Sequence, residues 1–275
     1  MKLSVASSVF VNYSLPDAIR LVAQAGYEGI DIWGGRPHVY RKDIKPEELA
    51  EIRSLIRRSG LEPVSLMPAF FRYPHSLSSP NETVREDSLE YMYECLESAV
   101  ALGAKILLIV PGRSLHGQSR EEAWKWMVEG IARICERARQ YDVRLGIEPA
   151  NAAVTDLVNT AGDALAIIDE LGYENLGIVL DSGHIHLSAE RPEEAIRNAC
   201  TLLLQVHVND NDGSRQQNLI PGDGTFDFSS FTSLLKRSGF AGYLTIELAW
   251  DYSLDPFPPV LESKQRMINL LRGRR

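Results

Sequence analysis

One phrase recurs along the chain: an amphipathic run closes on a glycine, and a short apolar run follows almost at once. AGYEG (25–29), LGAK (102–105), LGYENLG (171–177) and SGFAGY (238–243) are four instances. A glycine just past a helix end relieves the left-handed position that stops the helix, so each phrase reads as helix, stop, strand. Apolar, β-branched runs at 3–10, 29–33, 63–67, 105–110, 143–148, 176–181, 202–208 and 242–248 predict eight strands. Helical patterns alternate with them near 15–25, 46–59, 81–102, 119–141, 161–171, 192–199, 228–238 and 260–272. Spread over 275 residues, that is about one βα unit per 34 residues. This is the arithmetic of an α/β protein with a (β/α)₈ TIM barrel, in one domain spanning 1–275, because no linker or low-complexity tract interrupts it. A doubly wound open sheet is the other candidate. It ordinarily needs fewer strands, and the first βα turn here, SSVFVNYSLPDA, lacks a GxGxxG phosphate loop.

Charge narrows the ligand. A formal net charge of -8 disfavours binding to nucleic-acid phosphates, so a small polar substrate is expected and no nucleic acid. Cys95, Cys135 and Cys200 show no CxxC spacing and read as small apolar side chains, which suits a reducing cytoplasm. Serines interrupt the opening MKLSVASSVFV, and no segment approaches the ~18 apolar residues of a membrane helix, so no membrane partner is expected.

The strand ends carry the chemistry. Strand five ends at Glu148 in GIEPAN, strand six at Asp181 in VLDSGH; strand seven carries His207 in QVHVND and strand eight Glu247 in TIELAW. Barrel closure turns their separations of 33, 26 and 40 positions into neighbouring places around one ring, on the face where barrels keep their sites. A strand-end carboxylate taken alone is more often a cap or a loop tether. Three in one apolar mouth repel one another and lose solvation, which a divalent cation would compensate. Three oxygens and one imidazole suit Mn²⁺ first, with Mg²⁺ or Co²⁺ able to substitute and Zn²⁺ less favoured.

In their order and spacing, GIEPAN, VLDSGH, QVHVND, PGDGTFDF and GYLTIELAW resemble the xylose-isomerase-like TIM-barrel superfamily of sugar isomerases and epimerases, and GYEGIDIW and LGAKILLIVPG extend the resemblance upstream. It implies that Glu148, Asp181, His207 and Glu247 bind one divalent metal. The two glutamates would also act as acid and base, moving a proton next to a carbonyl through an enediolate. His184, in the D-x-x-H relation to Asp181, matches the position whose imidazole donates to a substrate oxygen; a packing or surface role suits His186 better. Trp33 could wall the sugar chain or simply fill a barrel layer, and Asp31 could be an acidic site residue or tie down a loop. His116, with Arg113 nearby, and Arg215 are substrate-binding candidates. Ketose 3-epimerases place an arginine nearer the histidine and after a glutamate, where this chain has Asp210.

Type-IV apurinic endonucleases share the superfamily, but they need an Asp-x-His before the PG loop. Gln216 and Asn218 of RQQNLIPG stand there instead, and the chain lacks a basic stripe. A lyase on the same metal site is the nearer alternative, either a keto-inositol or dehydroshikimate-type dehydratase or a 3-keto-glycoside deglycosidase. A sugar-binding protein without catalysis would not need paired proton-transfer carboxylates. The segment WDYSLDPFPPV after strand eight could shape the pocket edge or a homo-oligomer contact, while the loops after strands one to four would choose the sugar.

Overall fold

A computed structural model describes residues 1–40, 43–70 and 74–273. Eight parallel strands close in sequence order: β1 (Lys2–Ala6), β2 (Gly29–Trp33), β3 (Glu62–Met67), β4 (Ile106–Ile109), β5 (Arg144–Ile147), β6 (Leu176–Asp181), β7 (Leu203–Val208) and β8 (Tyr243–Ile246), with β8 pairing back onto β1. The helices are α1 (Leu15–Gln24), α2 (Pro46–Arg58), α3 (Glu82–Leu102), α4 (Arg120–Ala138), α5 (Ala161–Leu171), α6 (Ser182–Leu187), α7 (Pro192–Ala199), α8 (Phe228–Arg237) and α9 (Phe257–Leu271). Local chemistry sets their ends. Ser14 accepts from the Asp17 N–H at the start of α1, and Thr160 and Asp163 form a reciprocal box at the start of α5. Gly103 ends α3 at φ 84°, the left-handed stop anticipated by LGAK.

Two apolar layers sandwich the strands. The large one joins outward strand residues such as Ile30, Leu107, Leu145 and Ile178 to the helices; a smaller one inside the barrel contains Ala6, Trp33, Met67, Ile106, Leu108 and Val179. The interior is crowded enough that a Cβ at Gly146 would stand 2.6 Å from Val179 Cγ2. One side of it is polar. Ser4 Oγ lies 2.6 Å from Thr245 Oγ1, and the Gln205 amide donates to Thr245 Oγ1 at 2.6 Å and to Asp31 Oδ2 at 3.2 Å, all four residues being fully buried. These bonds tie β1, β2, β7 and β8 together beneath the mouth, while Asp31 Oδ1 and Gln205 Oε1 are buried without a hydrogen-bond partner.

The first strand is shorter than the expected 3–10. It stops at Ala6, and Ser7–Phe10 makes a 3₁₀ turn. The Ser7 hydroxyl takes the Trp33 N–H at 2.8 Å, so a side chain meets the need that a longer β1 would have met. Conversely, the last helix begins at Phe257, before the expected 260, with proline in its first turn. Among the described residues, no helix is long and apolar enough to cross a membrane.

Candidate active site

Glu148 and Glu247 stand one residue past β5 and β8, and their N–H groups continue the ladder onto Ile109 O (3.0 Å) and Val208 O (3.1 Å). Asp181 ends β6 in register with His207 on β7. One ligand atom from each of the four lies within 4.8 Å of all the others. The ring inferred from strand ends is therefore a cluster at one end of the barrel.

His207 organises the cluster. Its Nε2 lies 3.0 Å from Asp31 Oδ2, which can only accept, so Nε2 carries a proton. Nδ1 turns toward Glu148 Oε1 at 2.7 Å and Glu247 Oε2 at 3.1 Å. Charge holds these contacts, since neither Nδ1 nor Glu148 Oε1 has a partner in hydrogen-bonding geometry. Burial disfavours the charged imidazole, but the Glu148 charge and the bond to Asp31 outweigh it, holding the His207 pKa well above the ordinary value. For Glu247, burial is outweighed by His207 and then His184, leaving its carboxyl below the usual range. Asp181 goes the other way. Burial, reinforced by Glu247 and Glu148 against the pull of His184, pushes it up to about 6.

The residues fit a divalent cation. Three carboxylates converge on an imidazole whose far nitrogen is tied to a fourth, the carboxylate–histidine arrangement that fixes a ligating ring. The two buried, geometrically unpartnered atoms, Glu148 Oε1 and His207 Nδ1, face each other where a shared ion would satisfy both.

The Asp181 carboxylate is held on both oxygens. Asn209 Nδ2 donates to Oδ2 at 2.6 Å, and the His184 N–H donates to Oδ1 at 2.7 Å, capping α6. The spacing D-x-x-H is thus also that of a capped helix start, and α6 went unrecognised in the sequence because it is shorter than two turns. Gly183 is required there, because a Cβ would stand 2.1 Å from Asn209 Oδ1.

A cavity of about 380 Å³ opens over the cluster, a volume suited to a small molecule. Glu148, Glu247 and His184 line it on one side, Trp33 and Trp250 on another, the two indoles meeting edge to face at 6.2 Å. Trp33 packs in the interior layer and also lines the cavity. Asp31 ties no loop; it reaches inward to His207.

Other expected side chains lie elsewhere. His116 and Arg215 are exposed and are not among the described residues lining the cavity. The loop of His116 is fastened by Ser114 to Asp156, and Arg113 donates to Ala152 O and Ala153 O, joining the loops after β4 and β5. The turn before Arg215 is built on Asp212, which accepts from the Ser214 N–H. His186 packs beside Phe226 with ring centroids 5.7 Å apart. Asp210 is fully buried and accepts the backbone N–H groups of Gly222, Gly224 and Phe226, so it fastens the PGDGTF loop. Missed in the sequence were Asp31 as the partner of His207, Asn209 as the partner of Asp181, and Asn151, which contacts His184. Only Asp31 left a usable signal, sharing the inward parity of Trp33 two positions on.

A family model described as xylose isomerase-like TIM barrel matches residues 19–270. Fructoselysine 3-epimerase of Escherichia coli O157:H7 is 26% identical over 239 residues, 87% of each chain. The crystal structure of a D-tagatose 3-epimerase-like protein shares the fold with TM-score 0.86 at 24% identity, over 99% of this chain and 97% of that one. That of IOLI protein with a binding zinc atom does so with TM-score 0.83 at 22% identity, over 100% and 99%.

Proposed function

The chain belongs to the xylose isomerase-like TIM-barrel family, and on that premise we propose that it is a divalent-metal-dependent sugar isomerase or epimerase that moves a proton next to a carbonyl. The observation that carries this reading is the convergence of Glu148 and Glu247 on Nδ1 of His207 beside a cavity open to a small molecule. Two carboxylates from β5 and β8, both lining that cavity, provide one group to take a proton from carbon and another to return one. The fructoselysine 3-epimerase relative performs a reaction of this class by its name.

Glu148, Asp181, His207 and Glu247 would hold the cation, Mn²⁺ being the first ion to try, and when bound it would supply Lewis-acid stabilisation of adjacent carbonyl and hydroxyl oxygens. The side chains do the rest. One glutamate removes the proton from the carbon beside the carbonyl, and the electron pair of that C–H bond delocalises to give an enediolate. The other glutamate delivers a proton to the opposite face of the same carbon, for epimerisation, or to the neighbouring carbon while the hydroxyl proton passes to the former carbonyl oxygen, for isomerisation. His184 donates to the oxygen on which negative charge grows. Trp33 and Trp250 cover the carbon chain and exclude water.

The test is a panel of free ketoses, keto-inositols and 3-keto glycosides incubated with Mn²⁺-loaded protein in D₂O and followed by NMR. Deuterium entering one carbon, together with a new epimer or isomer, is the expected result. Release of water or of an aglycone would reassign the reaction to a lyase, and a panel without any exchange would count against proton transfer altogether.

The cavity also favours an uncharged sugar. Among the described residues lining it, none is Lys or Arg and two are glutamates. A phosphate brought there would find no cationic side chain among those described residues to balance it. A ketose should therefore exceed its own phosphate ester in kcat/KM by about 100-fold or more; equal values would remove this part of the assignment.

Asp31 gives a third expectation. Asp31→Asn replaces the acceptor that orients His207 while keeping size, and should weaken metal affinity roughly 10- to 100-fold, read by competition with a chelating dye. An unchanged Kd would mean that the His207 ring is held by packing alone.

A further inference from the structure

Resting on the reading that His184 donates to substrate, we propose that Asn151 is the positioning residue that fixes His184 in its donating tautomer. Asn151 is buried, three residues beyond Glu148 on the same segment. Its Oδ1 accepts the Ala153 N–H at 2.9 Å. A backbone N–H has no alternative role, so this bond settles which end of the amide is oxygen and turns Nδ2 toward His184. Nδ2 lies 3.0 Å from His184 Nδ1 and 3.2 Å from Gln216 Oε1. Both amide hydrogens are then engaged, one with the ring and one with the loop after β7.

An N–H aimed at an imidazole nitrogen requires a lone pair there. His184 Nδ1 is therefore the acceptor, and the ring proton sits on Nε2. The backbone of the same residue is fixed independently by its N–H on Asp181 Oδ1 at 2.7 Å. Held at both ends, the side chain lines the cavity with Glu148 and Glu247, and Nε2–H is its remaining polar group. Asn151 thus couples the segment of one proton-transfer carboxylate to the donor. It acts through His184 and touches no reacting atom itself.

Asn151→Asp separates this role from a structural one. The carboxylate still accepts the Ala153 N–H and so preserves the turn, but it presents an acceptor to Nδ1 where the amide presented a donor. The expected result is a kcat about 100-fold lower, the scale of losing a positioned proton donor, with KM and metal affinity little changed. A merely structural Asn151 would tolerate the change.

The decisive readout needs no substrate: long-range ¹H–¹⁵N spectra of ¹⁵N-histidine-labelled, Mg²⁺-loaded protein, with His184 assigned from its absence in His184→Gln. In the wild type, Nδ1 should be pyridine-type and Nε2 pyrrole-type, and in Asn151→Asp the pattern should reverse. A wild-type spectrum with Nδ1 protonated overturns the proposal, whether or not a substrate has been found; so does an Asn151→Asp variant with wild-type kcat. If that variant does not fold, the wild-type spectrum decides alone. A failed substrate search with the expected spectrum removes the reaction and leaves the tautomer assignment standing.

Discussion

Glu148→Gln and Glu247→Gln should each lower kcat by at least about 10³-fold with metal saturated, the upper range of what a positioned acid or base contributes. The amide keeps the size of the carboxylate and one oxygen to face the cation, but it can neither accept nor deliver a proton at neutral pH. The two losses should differ in kind. With Glu247 replaced, Glu148 remains able to act on one face, so exchange of deuterium into one epimer should outlast epimerisation; with Glu148 replaced, the exchanging partner should be the other epimer. Both variants therefore need assaying in D₂O from both directions, with metal content measured, since both residues are also proposed ligands. Full activity in both glutamine variants would reject the acid and base assignment.

The fold was legible because each βα unit carries its own signals. Glycine stops, capping residues and continuous apolar strands act over a few positions, and eight of them in a row leave little besides a closed barrel. The ring of Glu148, Asp181, His207 and Glu247 followed from strand ends, because closure converts sequence order into adjacency. What failed to show depends on closure at the level of single atoms. Asp31 and His207 are 176 positions apart and meet only because closure through β8 and β1 brings β2 and β7 around one interior. Asn151 reaches His184 from a different βα loop, and nothing in GIEPAN announces a donor for an imidazole. Side-chain direction in loops was equally hidden, as the outward His116 and Arg215 illustrate. At Ser7 a hydroxyl satisfying Trp33 ended a strand that apolar patterning would have continued.

Metal affinity should fall as pH falls, in two stages whose order follows from the electrostatics of the cluster. A cation needs the lone pair of His207 Nδ1 and an ionised Asp181, and protons compete for both. The His207 pKa lies well above its ordinary 6.5, because Glu148 and Asp31 outweigh burial, so one proton competes with the cation throughout the neutral range. Asp181, pushed up mainly by burial to about 6, adds a second competing proton below that point. Glu247, held below the usual carboxylate range by His207, adds none near pH 6. Each competing proton weakens binding roughly tenfold per pH unit, so Kd should rise about tenfold from pH 7 to 6 and more steeply, approaching 100-fold, from 6 to 5. Titration calorimetry in two buffers of different ionisation heat should count at least half a proton released at pH 6.5. The melting-temperature difference between metal-loaded and chelated protein should widen with rising pH, since binding only to the folded state stabilises in proportion to the logarithm of affinity. Chelation should abolish turnover and Mn²⁺ restore it. Turnover that survives verified metal removal, or a Kd that stays flat between pH 5 and 7, would mean that these four side chains balance their charge in some other way.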